Sequence, residues 1–222
     1  WGLSDVDLLN RLIVAFDRRQ RRKLGIWEFT DDPDCIVRLG ITRARVGAHL
    51  ADGTIVRPGD RIGVIHLWNE HVPRIPPGGG DLGWARTMLK SVRRSLLLLA
   101  PYLREEPRLQ SIDAFGGEFG FVYSPAAMRV LTLLGFELFD PLPPRTLWDR
   151  TVDLAMRIWP YLLRRAFNPE SLRDQGFSDL RRRPIWITRS TILARYGTDD
   201  DGVAGRISGA ASADGSAPAA TP

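Results

Sequence analysis

The sequence predicts an α+β fold: a single domain with a mixed, largely antiparallel sheet packed by long helices, plus a disordered C-terminal tail. Three observations predict it. Hairpin signals at Asp52-Gly53 and Pro58-Gly59-Asp60 mark antiparallel strands in the first part of the chain. After residue 80, helical and strand patterns alternate. The 222 residues are 44% apolar and 26% charged, which is the balance of a globular chain able to bury a core without disulfides or metals.

Ser4 to Lys23 predicts a helix. Leu8, Leu9, Leu12, Ile13 and Phe16 follow the 3.6-residue period, Ser4 can cap the start, and Arg18, Arg19, Arg21, Arg22 and Lys23 suit the negative end of the helix dipole. Ile26–Phe29 and Cys35–Leu39 are short strand candidates on either side of an Asp-Pro-Asp turn. Val46, Ala48 and Leu50 alternate into the Asp52-Gly53 turn, and Ile55-Val56 follows it. Arg61 to Trp68 is a longer strand. Ile62 and Val64 point to one side and Ile65 and Leu67 to the other, so it should be central and covered on both faces.

Asp81 to about Leu103 is the longest helical pattern, with Pro101 expected to kink its last turn. Leu109–Phe115 predicts a strand, and Gly116-Gly117-Glu118-Phe119-Gly120 reads as a tight turn after it. Ser124-Pro125 starts a helix that Gly135 stops. Phe136–Phe139 is a strand, Thr146–Phe167 a helix containing Pro160, Ile185–Ile187 a strand and Ser190–Tyr196 a short helix. The domain is expected over residues 1–197. From Thr198 the chain is mostly Asp, Gly, Ser, Ala and Pro, with too little apolar surface to offset ordering entropy.

Net charge is +5, and 29 of the 31 basic residues are arginine. That skew reads as composition bias, so nucleic acid is an unlikely partner even though a basic field attracts polyanions. Cys35 is the single cysteine, which excludes an intramolecular disulfide and a cysteine-rich metal site and fits a reducing compartment. The longest nearly apolar run, Leu96–Leu103, is far short of the about 20 residues that a spanning helix needs.

The densest polar cluster is His66-Leu67-Trp68-Asn69-Glu70-His71, at the end of the long strand. Alternation puts His66, Trp68 and Glu70 on one side. A neutral imidazole beside a carboxylate is the minimum for general acid–base work, with Asp113 a second candidate to orient His66 and Asn69 available to hold a substrate hydroxyl. The competing reading is a satisfied core histidine, with Asn69 and Glu70 capping the strand end. A metal held by His66, Glu70, His71 and Asp60 finds no supporting spacing, and no cofactor is expected. Glu118 could add a carboxylate to a cleft beside His66.

Arg86, Lys90, Arg93 and Arg94 stripe the helix that follows, either as a solvated face or as an anion-binding one. The 146–167 helix carries Trp148, Trp159, Tyr161 and Phe167 among Arg150, Arg157, Arg164 and Arg165. It can lie on a membrane surface, but its apolar circumference favours burial in the core.

The stretch "DGTIVRPGDRIGVIHLWNE" resembles the YkoP-like domain of bacteria, in which a Pro-Gly-Asp turn leads into a strand ending Leu/Ile-His-x-x-Asn. Gly59, Asp60, His66 and Asn69 are the matching positions. "RRSLLLLAPYL", "LLGFELFDP" and "PIWITRSTILARYG" follow in the same order and spacing, so the resemblance covers about residues 1–197. It implies a domain of unknown function that occurs alone, joined to polysaccharide deacetylase domains, or alongside glycosyltransferases. No deacetylase domain is visible in these residues, so that activity is not implied, and no catalytic residue is carried over.

Three expectations follow. The first is an accessory module binding an envelope glycan or a lipid-linked anionic ligand, through Asp60, Trp68, Glu118 and the Arg86, Lys90 and Arg93 stripe. The second is a small hydrolase or transferase using His66 with Glu70 or Asp113. The third is attachment to an anionic membrane surface through arginine-rich helices. The compartment expected is the cytoplasm, including a position peripheral to the inner face of the membrane.

Overall fold

The computed structural model describes residues 3–118, 125–140, 147–172 and 184–197. In chain order its elements are α1 (Leu3–Lys23), β1 (Val37–Arg43), β2 (Ala48–His49), β3 (Ile55–Val56), β4 (Arg61–Leu67), α2 (Leu82–Glu105), β5 (Ala114–Glu118), α3 (Pro125–Leu133), β6 (Glu137–Leu138), α4 (Leu147–Phe167), β7 (Pro184–Thr188) and α5 (Arg189–Tyr196). The sheet order is β1-β4-β5-β7-β6. β4 runs antiparallel to β1 and parallel to β5, while β7 runs antiparallel to both β5 and β6. A parallel neighbour requires a long crossover, and α2 supplies it. The fold is α+β with a mixed, largely antiparallel sheet, as the hairpin signals and the later alternation imply.

β4 sits inside the sheet because it is apolar on both faces. On one face Ile65 joins Leu39, Phe115, Ile185 and Ile187, and α2 covers them with Leu96, Leu99 and Leu103. Burying each such side chain contributes about 1.5–3 kcal/mol. On the other face Ile62 joins Ala114 and Trp186 beneath the β2–β3 hairpin, which contributes Ala48, Leu50 and Val56. Gly53 and Gly59 hold the two turns flanking this hairpin strand with φ of 88° and 93°, which a residue with a Cβ adopts only under strain. Asp60 closes the second turn: its carboxylate accepts from the Arg57 amide at 2.6 Å.

α2 forms because Asp81 caps it, accepting from the Trp84 amide at 2.7 Å, and because its apolar residues recur every three or four positions. It continues past Pro101 to Glu105. Ser95, fully buried, accepts from the Ile36 amide at 2.9 Å and donates to the Ser91 carbonyl at 2.8 Å, pinning α2 to the approach of β1.

Several elements differ from the sequence expectation. Ile26–Phe29 makes one isolated bridge, Trp27 to Leu39, and no strand. Leu109 and Ile112 are buried anchors of a 3-10 turn and loop, not strand residues, and β5 begins only at Ala114. Gly116 and Gly117 belong to β5 rather than to a tight turn. Their neighbours explain why: a Cβ on Gly116 would stand 3.0 Å from the Trp186 ring, and one on Gly117 2.9 Å from the Ile65 carbonyl oxygen. Glycine here serves close strand packing, not reversal. The described part of α4 is less buried than expected. Of its described side chains only Arg164 is buried, and Leu154 and Ile158 are exposed. Ser124 and the predicted tail, residues 198–222, lie outside the described residues.

The C-terminal end of β4 is where the helices gather. Glu70 reaches Arg21 of α1; Asn168, just after α4, donates to the Pro73 carbonyl and accepts from the Ile75 amide; and the Trp84 indole of α2 donates to the same Pro73 carbonyl.

The closest approach within the sheet is testable. A Cβ at Gly63 would lie 2.2 Å from the fully buried Phe115 ring. Gly63→Ala is expected to lower stability by about 1–3 kcal/mol, read as a fall in the urea midpoint.

Candidate functional site

Strand pairing continues one step beyond β4, with the Trp68 amide donating to the Ile36 carbonyl at 2.7 Å; the chain then turns, so that Asn69 and Glu70 leave the sheet. Trp68 is buried, and His71 stacks on it with ring centroids 3.7 Å apart while its Nδ1 lies 2.9 Å from the Cys35 carbonyl. Directly across from His66 in the β1–β4 register stands Arg38. Arg38 is 3% exposed, and its guanidinium lies 4.5 Å from the centre of the Trp68 ring.

A buried guanidinium must be paired, and Arg38 is. Its Nη2 meets Glu28 at 2.8 Å and its Nη1 meets Glu70 at 3.2 Å. Glu70 uses its other oxygen on Arg21 Nη2 at 3.0 Å, and Arg21 Nε lies 2.9 Å from Asp17. The result is a network of three carboxylates and two guanidiniums that joins α1, the 26–29 segment, β1 and the turn after β4. Burial pushes the Asp17 carboxyl above its ordinary value, and the nearby Glu70 charge adds to that; Arg21 acts in the opposite direction.

His66 stands apart from this network. It lies on the same sheet face as Arg38, and a Cβ on Gly40 would be 3.5 Å from its Nε2, ordinary contact. Among the described residues its ring has no hydrogen-bond partner. Burial pushes its pKa down to about 4, so the ring is neutral at physiological pH. Asn69 is half-buried and its side chain likewise has no hydrogen-bond partner among the described residues.

The structure therefore brings together some of the residues singled out in the sequence and separates others. Trp68 and Glu70 meet, through Arg38. Asp113 and Asp60 do not approach His66. The β4–β5 register aligns Asp113 with Arg61, five residues before His66 and so about 16 Å along the strand. Asp60 is at that same far end, occupied in its turn. Extending the same register carries the backbone of Glu118 to the level of His66, but its side chain lies outside the described residues. Arg86, Lys90 and Arg93 are exposed on α2. α2 covers the face that carries Ile65, whereas His66 points to the opposite face, so these cations cannot serve a ligand seated on His66. Arg94 pairs with Asp32 at 2.8 Å.

Sequence reasoning missed Arg21 and Arg38 as the partners of Glu70, and Asp17 and Glu28 as the carboxylates that pair with those arginines. The available signal was Arg38 itself, a charge inside the apolar run Cys35–Leu39. Among the described residues no group of three or more His, Cys, Asp or Glu side chains is placed to hold a metal ion.

A family model described as the YkoP domain matches residues 46–196, more than half of the chain. The chain belongs to the YkoP domain family. No curated protein and no solved structure matches it. The matched span begins after β1, so within the network only Glu70 lies inside the YkoP domain match, and Asp17, Arg21, Glu28 and Arg38 precede it. The edge strand β1 and the helix α1 are thus joined to the matched region through Glu70 as well as through the β1–β4 ladder.

Two outcomes are expected here. Glu70→Gln weakens both guanidinium contacts and lowers stability by about 1–3 kcal/mol by urea unfolding, since the side chain is 27% exposed and Glu28 remains on Arg38. In an NMR titration the His66 ring should titrate near pH 4, and in the same position in Glu70→Gln. Because the folded pKa lies below the free value of about 6.5, the stability tied to neutral His66 is complete above that value and is lost as pH falls towards 4. A His66→Gln variant should show a flatter stability profile across that window.

Proposed function

We propose that this YkoP domain is an accessory module that binds the anionic part of an envelope glycan, or of its lipid-linked precursor, without transforming it. The observation that carries this reading is the stripe on α2. Leu82, Arg86, Leu89 and Arg93 recur at helical spacing, Lys90 sits beside them, and all five are exposed. Arginine suits bidentate contact with phosphate or carboxylate, and the adjacent leucines offer an apolar strip for a chain or a sugar face.

The polar residues at the end of β4 support binding elsewhere rather than turnover there. Glu70 is committed to two arginines, Asp113 stands at the far end of the sheet, and so neither orients His66 as a general base. A pKa near 4 also makes His66 a weak base at neutral pH. The envelope setting comes from the company that family members keep, fused to deacetylase domains or encoded beside glycosyltransferases.

The test is calorimetric titration with a short-chain alkyl phosphate, a nucleoside diphosphate sugar and a neutral oligosaccharide. Saturable binding of a phosphorylated probe at about millimolar concentration or better is expected, weakened at least about tenfold in Arg86→Glu/Lys90→Glu. No binding by any probe, or binding indifferent to that double substitution, would overturn the α2 assignment.

A further inference from the structure

α1 presents its apolar residues the wrong way round for a helix that only packs on its own domain. Ile13 and Asp17 are buried, but Leu8 and Leu12 are each 59% exposed and Phe16 48% exposed. These three are spaced four apart, so they line one side of the helix. Interleaved on that same side are Arg11, Arg18, Arg19, Arg22 and Lys23, all exposed. Between Leu8 and Lys23 the one acidic residue is Asp17, and it is turned inward. Leu12, Phe16 and four of these cations line a shallow open groove. Phe16 also meets Trp159 of α4 edge-on at 4.9 Å, and α4 exposes Leu154 and Ile158.

We propose that this side of α1 is a docking surface for an anionic lipid bilayer, on which the helix lies parallel to the membrane plane. No helix among the described residues is long and apolar enough to cross a membrane, so the contact is peripheral. The chemistry is complementary in two respects. Leucine and phenylalanine side chains can enter the boundary between headgroups and acyl chains, and arginines beside them reach lipid phosphates while their stems stay in apolar surroundings. Each cation near an anionic surface strengthens binding about fivefold, so five on one helix side add a contribution comparable to that of the three apolar side chains. A nucleic acid would satisfy the cations but leave Leu8 and Leu12 in water. The inference is independent of the α2 ligand reading, because it uses different residues on a different helix.

The full chain should be co-sedimented with vesicles of phosphatidylcholine containing about a third phosphatidylglycerol, and with phosphatidylcholine alone. Binding is expected to the anionic vesicles, at least about tenfold stronger than to the neutral ones and weakened by high salt. Arg18→Glu/Arg22→Glu and Leu8→Ser/Leu12→Ser should each reduce it at least about tenfold, with helical content unchanged by circular dichroism because all four side chains are exposed. Phe16 is left in place because its ring packs on Trp159. Arg86→Glu/Lys90→Glu should bind vesicles normally, which separates failure of this inference from failure of the α2 reading. Absence of binding to anionic vesicles overturns the proposal. So does binding that the charge variant abolishes but the Leu8/Leu12 variant leaves intact, since that pattern is attraction to any polyanion.

Discussion

Arg38 is the constraint around which one end of this molecule is organised. Arg38, with 3% of its surface exposed, cannot shed its charge, so the fold must surround its guanidinium with carboxylates. It draws Glu28 from the segment after α1 and Glu70 from the turn after β4, and it lies beside Trp68. Glu70 then recruits Arg21, and Arg21 recruits Asp17. Arg38 and Asp17 are buried at the expense of their hydration, and the more exposed Glu28 and Glu70 carry the network out to solvent. Such a network specifies geometry more than it adds stability: removing one member leaves another uncompensated, although replacing the whole set with apolar residues could cost little. Its consequence is that α1 is fixed with one side towards the sheet and the opposite side, bearing Leu8, Leu12 and Phe16, towards solvent.

The alternation of β4 governs the rest. Odd-numbered residues from Gly63 to Leu67 face α2, and even-numbered ones from Ile62 to His66 face the hairpin and the Arg38 side. That single periodicity divides the cations of α2 from the polar strand end. It turns what looks in the sequence like one extended site into two unrelated features, a structural charge network and an exposed basic stripe.

Much of the architecture was legible. The both-faces pattern of β4, the glycine turns at Gly53 and Gly59, the start of α2 near Asp81 and the α1 boundaries are local signals, and local signals survive folding. What was not legible depended on neighbours. Gly116 and Gly117 look like a turn until Trp186 and the Ile65 carbonyl are seen pressing on them. Leu109 and Ile112 look like a strand because buried loop anchors are as apolar as strand residues. α4 looks like a core helix because its aromatics surround it, yet Leu154 and Ile158 remain outside. For the candidate site, the sequence identified Trp68 and Glu70 as important but paired Glu70 with His66. The true partners lie 32 and 49 residues away along the chain, and no spacing rule reaches across such distances.

The central claim is that Glu70 exists for Arg38 and not for chemistry at His66. A double-mutant cycle with Arg38→Met and Glu70→Gln, followed by urea unfolding of the single and double variants, tests it most directly. The account predicts a coupling of at least about 1 kcal/mol, with the double variant less destabilised than the sum of the singles. Additivity within about 0.3 kcal/mol would contradict it and would free Glu70 for a role at His66.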